Sequence, residues 1–147
     1  MKNILVAVES CESTTIASPM IEKTLELANA FSSKVWLVHV LPHSHQPPFN
    51  IDSKTARREL AAEFRNEHDF LQQLAKCIQE RDIDVTALLV QGSIIKSILK
   101  ESERLDADLI TLGCHKHGRL YGALMDNTEE GLLSKCPRPI MFIPEPD

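Results

Sequence analysis

The fold is decided by the stretch from Asp108 to Thr128, which reads DLITLGCHKHGRLYGALMDNT. It opens with the apolar-centred run Asp108–Leu112, which predicts a strand, and a Glu-rich segment that can begin a helix follows it. Three of the five glycines of the chain lie in the connection. A glycine-rich basic loop before a helix suits an anion, because backbone N–H groups and the helix dipole face it. The stretch therefore predicts a strand–loop–helix unit that either cradles a phosphate or serves simply as a long connection.

The rest of the chain alternates between apolar runs and amphipathic segments. The apolar runs predict strands at Ile4–Val8, Lys34–Leu41, Asp84–Val90 and Ile140–Ile143. The segments with helical spacing predict helices at Pro19–Phe31, Lys54–Arg81, Ser93–Leu105 and Thr128–Lys135, and the proline-rich Pro42–Ser53 predicts a loop. In the second helix the apolar stripe is interrupted at Glu67 and His68, and we assign His68 no role.

Strands that alternate with helices predict an α/β fold, in which one parallel sheet is doubly wound and has helices on both faces. Ligands bind such sheets beyond the carboxyl ends of the strands. The prolines on both sides of the last strand predict that it lies at a sheet edge, where a missing N–H does little harm. The candidate site loops are Glu9–Thr15, Val40–Ser53, Gln91–Ser93 and Gly113–Asn127.

Composition narrows the class of protein. The 147 residues are 43% hydrophobic, which predicts one domain over residues 1–147 with an adequate core. A net charge of −5 opposes a general role in binding nucleic acid or an anionic membrane. The apolar runs are too short for a signal peptide or a membrane span, and the four scattered cysteines suit reduced thiols. We therefore expect a cytoplasmic protein.

Five short segments together resemble the universal stress protein family over essentially the whole chain. They are Ile4–Glu9, Leu37–Val40, Val90–Gly92, Asp106–Gly113 and Cys136–Ile140. The resemblance implies a five-stranded Rossmann-like sheet of order 3-2-1-4-5 and a stress-related role. It also implies a homodimer through the last strand, with interface residues Ile140, Met141, Phe142 and Ile143. Many members of the family bind ATP in the cleft at the strand ends.

The phosphate signature of the ATP-binding members is mostly missing. That signature is a glycine, two residues, a second glycine, nine residues, then glycine followed by serine or threonine. Laid on this chain, it retains Gly113 but meets Lys116, Asp126 and Asn127 at its other positions. At about 4 Å and an effective dielectric of about 20, a carboxylate and a phosphate repel by about 4 kcal/mol, or roughly a thousandfold in affinity. The chain thus resembles the subgroup with a degenerate ATP-binding motif.

At the other nucleotide-binding positions of the family, this chain retains some residues and replaces others. Glu9 stands where the family has an aspartate that addresses the nucleotide, Val40 keeps the adenine-pocket position, and basic side chains of the loop can offset Asp126. The full candidate nucleotide-binding set is Val8, Glu9, Val40, Gly92, Leu112, Gly113, His115, Lys116, Arg119, Asp126, Asn127 and Thr128. ATP or AMP is the candidate ligand, and no cofactor is assigned with certainty.

Enzyme and metal interpretations have less support in the sequence. The chain lacks a Ser-Gly-Gly stretch after the first strand, a G-x-x-x-x-G-K-[ST] loop and a G-x-G-x-x-G loop, so we expect no enzyme. Cys11 and Cys114 leave neighbouring strands at the same end of the implied sheet, with His39, His115 and His117 nearby. They lack the close spacing of a structural zinc site. We expect no metal, with zinc below one equivalent in the purified protein.

The sequence-based expectation is a non-enzymatic, dimeric regulatory or docking module with weak or absent ATP binding and an unidentified protein partner. The alternative is a stress sensor that binds ATP or AMP with a modified phosphate loop. The exposed edge Ile140–Ile143 favours association, because an unpaired strand edge invites pairing and a symmetric dimer covers it.

Overall fold

The structure, a computed structural model, describes residues 1–11, 13–41, 53–114 and 136–146. Its strands are β1 (Asn3–Ala7), β2 (Lys34–Leu41), β3 (Val85–Gln91), β4 (Leu109–Cys114) and β5 (Ile140–Pro144). Its helices are α1 (Pro19–Phe31), α2 (Ser53–Gln79) and α3 (Ile94–Arg104). The loop expected over residues 42–52 and the helix expected at Thr128–Lys135 lie outside the described residues.

The five strands form one parallel sheet of order β3-β2-β1-β4-β5. The predicted order and fold class are confirmed. The chain starts in the middle strand, adds two strands on one side, and then crosses to the other side. The carboxyl ends of β1 and β4 therefore lie side by side at the point where strand order reverses, which is where ligands bind such sheets.

Alternation along β1 divides the core between the two faces of the sheet. Ile4, Val6 and Val8 face one cluster of buried side chains, which includes residues of α1 and α2. Leu5 and Ala7 face the other cluster, which includes Ile98 of α3. Both faces are covered, and the buried residues Ile4–Ala7 are all apolar, as expected of a central parallel strand.

Every strand except β2 has a boundary that differs by one or two residues from the predicted one, and two of these differences lie at the ligand-binding end of the sheet. β1 ends at Ala7 rather than Val8, although the Val8 N–H still donates to the Val38 carbonyl at 2.8 Å. β4 continues to Cys114 rather than ending at Leu112, because Gly113 and Cys114 pair with Ile143 and Pro144 of β5. The edge position predicted for the last strand is confirmed.

The amino ends of β1 and β4 are joined by Asp108. Its carboxylate accepts the N–H groups of Lys2 at 2.7 Å and Asn3 at 3.0 Å. These two hydrogen bonds, with Asn3 the larger contribution, lower the pKa of Asp108. The link stabilises the end of the sheet opposite to the ligand-binding end.

Candidate functional site

A cleft of about 310 Å³ lies at the carboxyl ends of β1 and β4. Ala7, Glu9 and Gly113 line it from the strand ends, and residues 13–15 and 17–20 line it from the segment that leads into α1. Glu145 and Pro146, which follow β5, line the remaining side among the described residues. The cleft therefore occupies the position that the strand order predicts for a ligand.

The Glu145 side chain crosses this cleft. Its Oε1 accepts the Met20 N–H at 2.8 Å, in the first turn of α1. Its Cγ lies so close to Gly113 that a Cβ on that residue would be only 2.9 Å away. A larger residue in place of Gly113 would therefore require the Glu145 side chain to shift.

This contact also explains how α1 begins. Ser18 is the N-cap residue and Pro19 follows it, as the sequence predicts, but the Ser18 hydroxyl makes no cap hydrogen bond. It accepts the Thr15 N–H at 3.0 Å instead. The Glu145 carboxylate supplies the negative charge that favours a helix N-terminus. The anion position at α1 is therefore held by the protein's own side chain.

A second, much smaller cavity lies against the α3 face of the sheet. Val40 and Ile98 are among its lining residues, together with Glu9, and its volume is about 10 Å³. A space of this size holds about one water molecule. Val40, at the implied adenine-pocket position, therefore borders only a small cavity among the described residues.

Three metal-ligand side chains converge on the opposite face of the sheet. The ligand atoms of Cys11, His39 and Glu67 all lie within 4.8 Å of one another. They come from the segment after β1, from β2 and from α2. The His39 Nδ1 lies 2.7 Å from the Val8 carbonyl, and its Nε2 lies 3.5 Å from Glu67 Oε2.

The cluster is buried except at Glu67. Cys11 and His39 are each 2% exposed, whereas the Glu67 side chain is 25% exposed. Burial raises the pKa of the Cys11 thiol, and the Glu67 carboxylate raises it further as a hydrogen-bond acceptor and as a negative charge. Without a cation, the thiol is therefore held in its neutral form.

Sequence reasoning placed Cys11 near His39 but missed Glu67. The signal was the interruption of the apolar stripe, where Glu67 falls three residues after Phe64 and four before Leu71. That spacing puts a carboxylate on the core-facing side of α2. His68, the other residue of the interruption, is exposed.

The universal stress protein family model matches residues 1–144. The chain belongs to this family. No curated protein matches the sequence. The assignment therefore rests on the family model, and the comparison with solved structures supports the fold.

Solved structures of universal stress proteins share this fold. One from Burkholderia pseudomallei is 20% identical, with a TM-score of 0.69 over 97% of this chain and 96% of that one. One from Archaeoglobus fulgidus, in complex with dAMP, is 16% identical, with a TM-score of 0.62 over 97% and 98%. One from Arabidopsis thaliana with AMP bound is 16% identical, with a TM-score of 0.59 over 99% and 93%.

Four residues of the predicted nucleotide set lie at or behind the cleft of this universal stress protein. Glu9 and Gly113 line it. Val8 and Leu112 have their side chains in the core, at 3% and 0% exposure, so only their backbone can face a ligand. Gly92 follows β3, which lies on the side of β1 opposite to β4, and its φ of 151° favours glycine.

The other members of the set are His115, Lys116, Arg119, Asp126, Asn127 and Thr128, and they lie outside the described residues.

The predicted interface residues belong to the edge strand β5. Ile140 and Met141 are half-buried, Phe142 is 37% exposed, and Ile143 is buried. In the described part of the chain, no helix is long and apolar enough to cross a membrane.

Proposed function

We propose that this universal stress protein is a non-enzymatic regulatory or docking module of the cytoplasm, homodimeric, with weak or absent ATP binding. The observation that supports a low affinity for ATP is the position of the Glu145 side chain, which lies against Gly113 and accepts a hydrogen bond at the start of α1. A phosphate bound there would meet a negative charge and would have to displace a hydrogen bond. Asp126 in the degenerate phosphate motif adds to this repulsion.

Free thiols support the cytoplasmic part of the proposal. Cys11, Cys77 and Cys136 are all free cysteines in the described residues. Thiols that stay reduced are typical of a reducing compartment. The docking part is supported by the exposed edge strand, since an unpaired edge favours association with another chain.

Calorimetric titration with ATP and with AMP tests the nucleotide part. We expect the wild-type dissociation constant for ATP to be larger than about 1 mM. Glu145→Gln should tighten ATP binding roughly fivefold, because a like-charge contact of about 1 kcal/mol in an open, water-filled cleft is removed. Glu22→Gln, which changes an exposed carboxylate in the same first turn of α1, is the matched control and should change little.

Two outcomes would contradict this part of the proposal. Submicromolar ATP binding by the wild type would show that the degenerate motif suffices. An unchanged affinity in Glu145→Gln would show that this carboxylate does not limit binding. A variant that restores the family's signature, with Lys116→Gly, Asp126→Gly and Asn127→Ser, should gain ATP binding in either background.

A sensor of adenine mononucleotides is the second candidate function. It is favoured by the cleft of about 310 Å³ and by relatives crystallised with dAMP and AMP. Mass spectrometry of nucleotides released by denaturing freshly purified protein separates the two functions. An adenine nucleotide at near-equimolar level would favour the sensor, whereas its absence would favour the docking module.

Sizing chromatography with light scattering tests the homodimer. We expect the mass of two chains for the wild type and of one chain for Phe142→Lys, because β5 would carry a charge into the paired edge. Phe70→Lys is a matched control, since Phe70 on α2 is also 37% exposed. A wild-type monomer, or a Phe142→Lys variant that stays dimeric, would contradict pairing through β5.

A further inference from the structure

The Cys11–His39–Glu67 cluster shares no residue with the described lining of the cleft and lies on the face of the sheet covered by α1 and α2. We propose that it binds one divalent transition-metal ion of the Zn²⁺ class. The inference is independent of the nucleotide proposal and revises the sequence-based expectation of no metal. Thiolate, imidazole and carboxylate are the three kinds of side-chain ligand that zinc uses.

The orientation of His39 matches that of a metal ligand. A carbonyl oxygen can only accept, so the Nδ1 at 2.7 Å from Val8 O must carry the proton and donate it. In the neutral ring, this leaves the lone pair of Nε2 directed toward Glu67. Metal-binding histidines commonly donate their second ring N–H to a backbone carbonyl, which fixes the tautomer and the ring plane.

With the ring neutral, two acceptor atoms face each other. Glu67 Oε2 is buried and has no hydrogen-bond partner among the described residues. It lies 3.5 Å from His39 Nε2, which is longer than an ordinary N–H···O hydrogen bond. A buried carboxylate oxygen beside an imidazole lone pair is unfavourable unless a cation joins them.

The separations fit a tetrahedral ion. Metal bonds of about 2.0–2.1 Å to nitrogen and oxygen and about 2.3 Å to sulfur place neighbouring ligand atoms about 3.3–3.6 Å apart. The Nε2–Oε2 distance of 3.5 Å is already in this range. Because every ligand-atom pair lies within 4.8 Å, the Cys11 sulfur needs to move by little more than about 1 Å.

The charges also balance. A thiolate and a carboxylate carry two negative charges, and the neutral imidazole adds none, so a divalent ion gives a neutral complex. Neutrality matters because Cys11 and His39 are each 2% exposed, and an uncompensated charge there is costly. The Cys11 proton leaves to solvent as the metal–sulfur bond forms.

Three protein ligands leave one coordination position open. The described residues offer only this trio, so water or a small anion would take the fourth position, unlike a closed structural site. Glu67, with 25% of its side chain exposed, lies on the route by which the ion and water enter. The mixed sulfur, nitrogen and oxygen set favours Zn²⁺ over Mg²⁺ or Ca²⁺, which select oxygen ligands.

Metal titration of the chelator-stripped full chain tests the proposal. Zn²⁺, measured against a competing chelating dye, should bind at one ion per chain. Co²⁺ should give the intense visible bands of a four-coordinate ion and a near-ultraviolet thiolate-to-cobalt band. Cys11→Ser should abolish the thiolate band, and Glu67→Gln should weaken binding by roughly a hundredfold, as loss of one of three ligands implies.

Matched variants exclude adventitious binding. Cys77→Ser and His68→Ala change an exposed cysteine and an exposed histidine on the same helix as Glu67, and both should bind as the wild type does. His115→Ala with His117→Ala tests the histidines outside the described residues and should also leave binding intact. Circular dichroism and urea unfolding of each metal-free variant show whether it is folded.

Three results would overturn the proposal. The first is stoichiometry well below one ion in the stripped wild type. The second is unchanged affinity in folded Cys11→Ser and Glu67→Gln. The third is loss of binding in the His115 and His117 variant alone, which would place the ion elsewhere.

Discussion

The cleft and the Cys11–His39–Glu67 cluster start from the same segment after β1 but differ in how their polar atoms are held. Cluster atoms come from a buried strand residue, a buried turn residue and a helix packed on the core. The cleft is open, and the side chain that crosses it follows an edge strand. Core packing therefore fixes the positions of the cluster atoms, whereas the position of the Glu145 side chain decides whether the cleft is open to an anion.

Strand geometry separates the Cys11–His39–Glu67 cluster from the small cavity at Val40. His39 and Val40 are consecutive residues of β2, so their side chains point to opposite faces. His39 joins the cluster on the face of α1 and α2, and Val40 lines the small cavity on the face of α3. Substitutions at one site can therefore leave the other intact.

The largest expected effect tests whether packing fixes the cluster. Leu71 is fully buried and lies one turn after Glu67 on α2. Leu71→Ala should lower the free energy of unfolding by about 2–5 kcal/mol, because it removes buried methyl groups and leaves a cavity. Urea denaturation measures this, and Phe70→Ala, at a partly exposed neighbour, should cost under about 1 kcal/mol. Equal losses of unfolding free energy in the two variants would mean that core packing does not fix the cluster.

The next effect has the opposite sign. Glu67→Leu should raise the free energy of unfolding of the metal-free protein by about 1–2 kcal/mol, since it completes the apolar stripe and removes a buried unpaired oxygen. Urea denaturation in the presence of chelator measures it. Glu59→Leu, at an exposed position of the same helix, should stay within about 0.5 kcal/mol of the wild type. Destabilisation by Glu67→Leu would show that the carboxylate stabilises the fold by itself.

A smaller effect concerns the cleft. Glu145→Ala should lower the free energy of unfolding by about 0.5–1 kcal/mol, because α1 loses the acceptor of the Met20 N–H. Thermal and urea unfolding measure the loss. Glu22→Ala removes a charge from the same turn without removing that acceptor, so the difference between the two variants isolates the hydrogen bond. No difference between them would show that Glu145 does not cap the helix.

The smallest effect lies far from both sites, at Asp108. Its pKa is lowered in the folded protein, so its contribution to stability is present above the pKa of an unfolded aspartate. That contribution is lost as pH falls through the folded-state pKa. Asp108→Asn should therefore lower the urea midpoint at neutral pH and match the wild type in strong acid. Metal and nucleotide binding should not change, and a change in either would contradict the separation of the sites from this end of the sheet.

The fold was largely predictable because apolar runs and helical spacing depend on residues that are close together in the sequence. The predicted strand at Lys34–Leu41 and helix at Pro19–Phe31 have the bounds found in the structure. The strand order came from resemblance to the family, since spacing alone does not give it. The end of β4 was misplaced because its last residues are strand only through pairing with β5.

The candidate sites were less predictable because their key contacts join residues distant in sequence. Nothing near Met20 indicates that the acceptor of its N–H is Glu145, or that this carboxylate crosses Gly113. Glu67 and His39 belong to different elements, and only the sheet order with helix packing brings them together. The interruption of the apolar stripe at Glu67 was the one local signal of the cluster on α2.

The position of Glu145 directly after β5 has one more consequence. If two chains pair through β5, the residue that crosses the cleft is adjacent to the subunit contact, so association and ligand occupancy become thermodynamically linked. The linkage is reciprocal, because a ligand that displaces Glu145 must change the dimerisation constant by the factor by which dimerisation changes its affinity. Apparent nucleotide affinity would then vary with protein concentration.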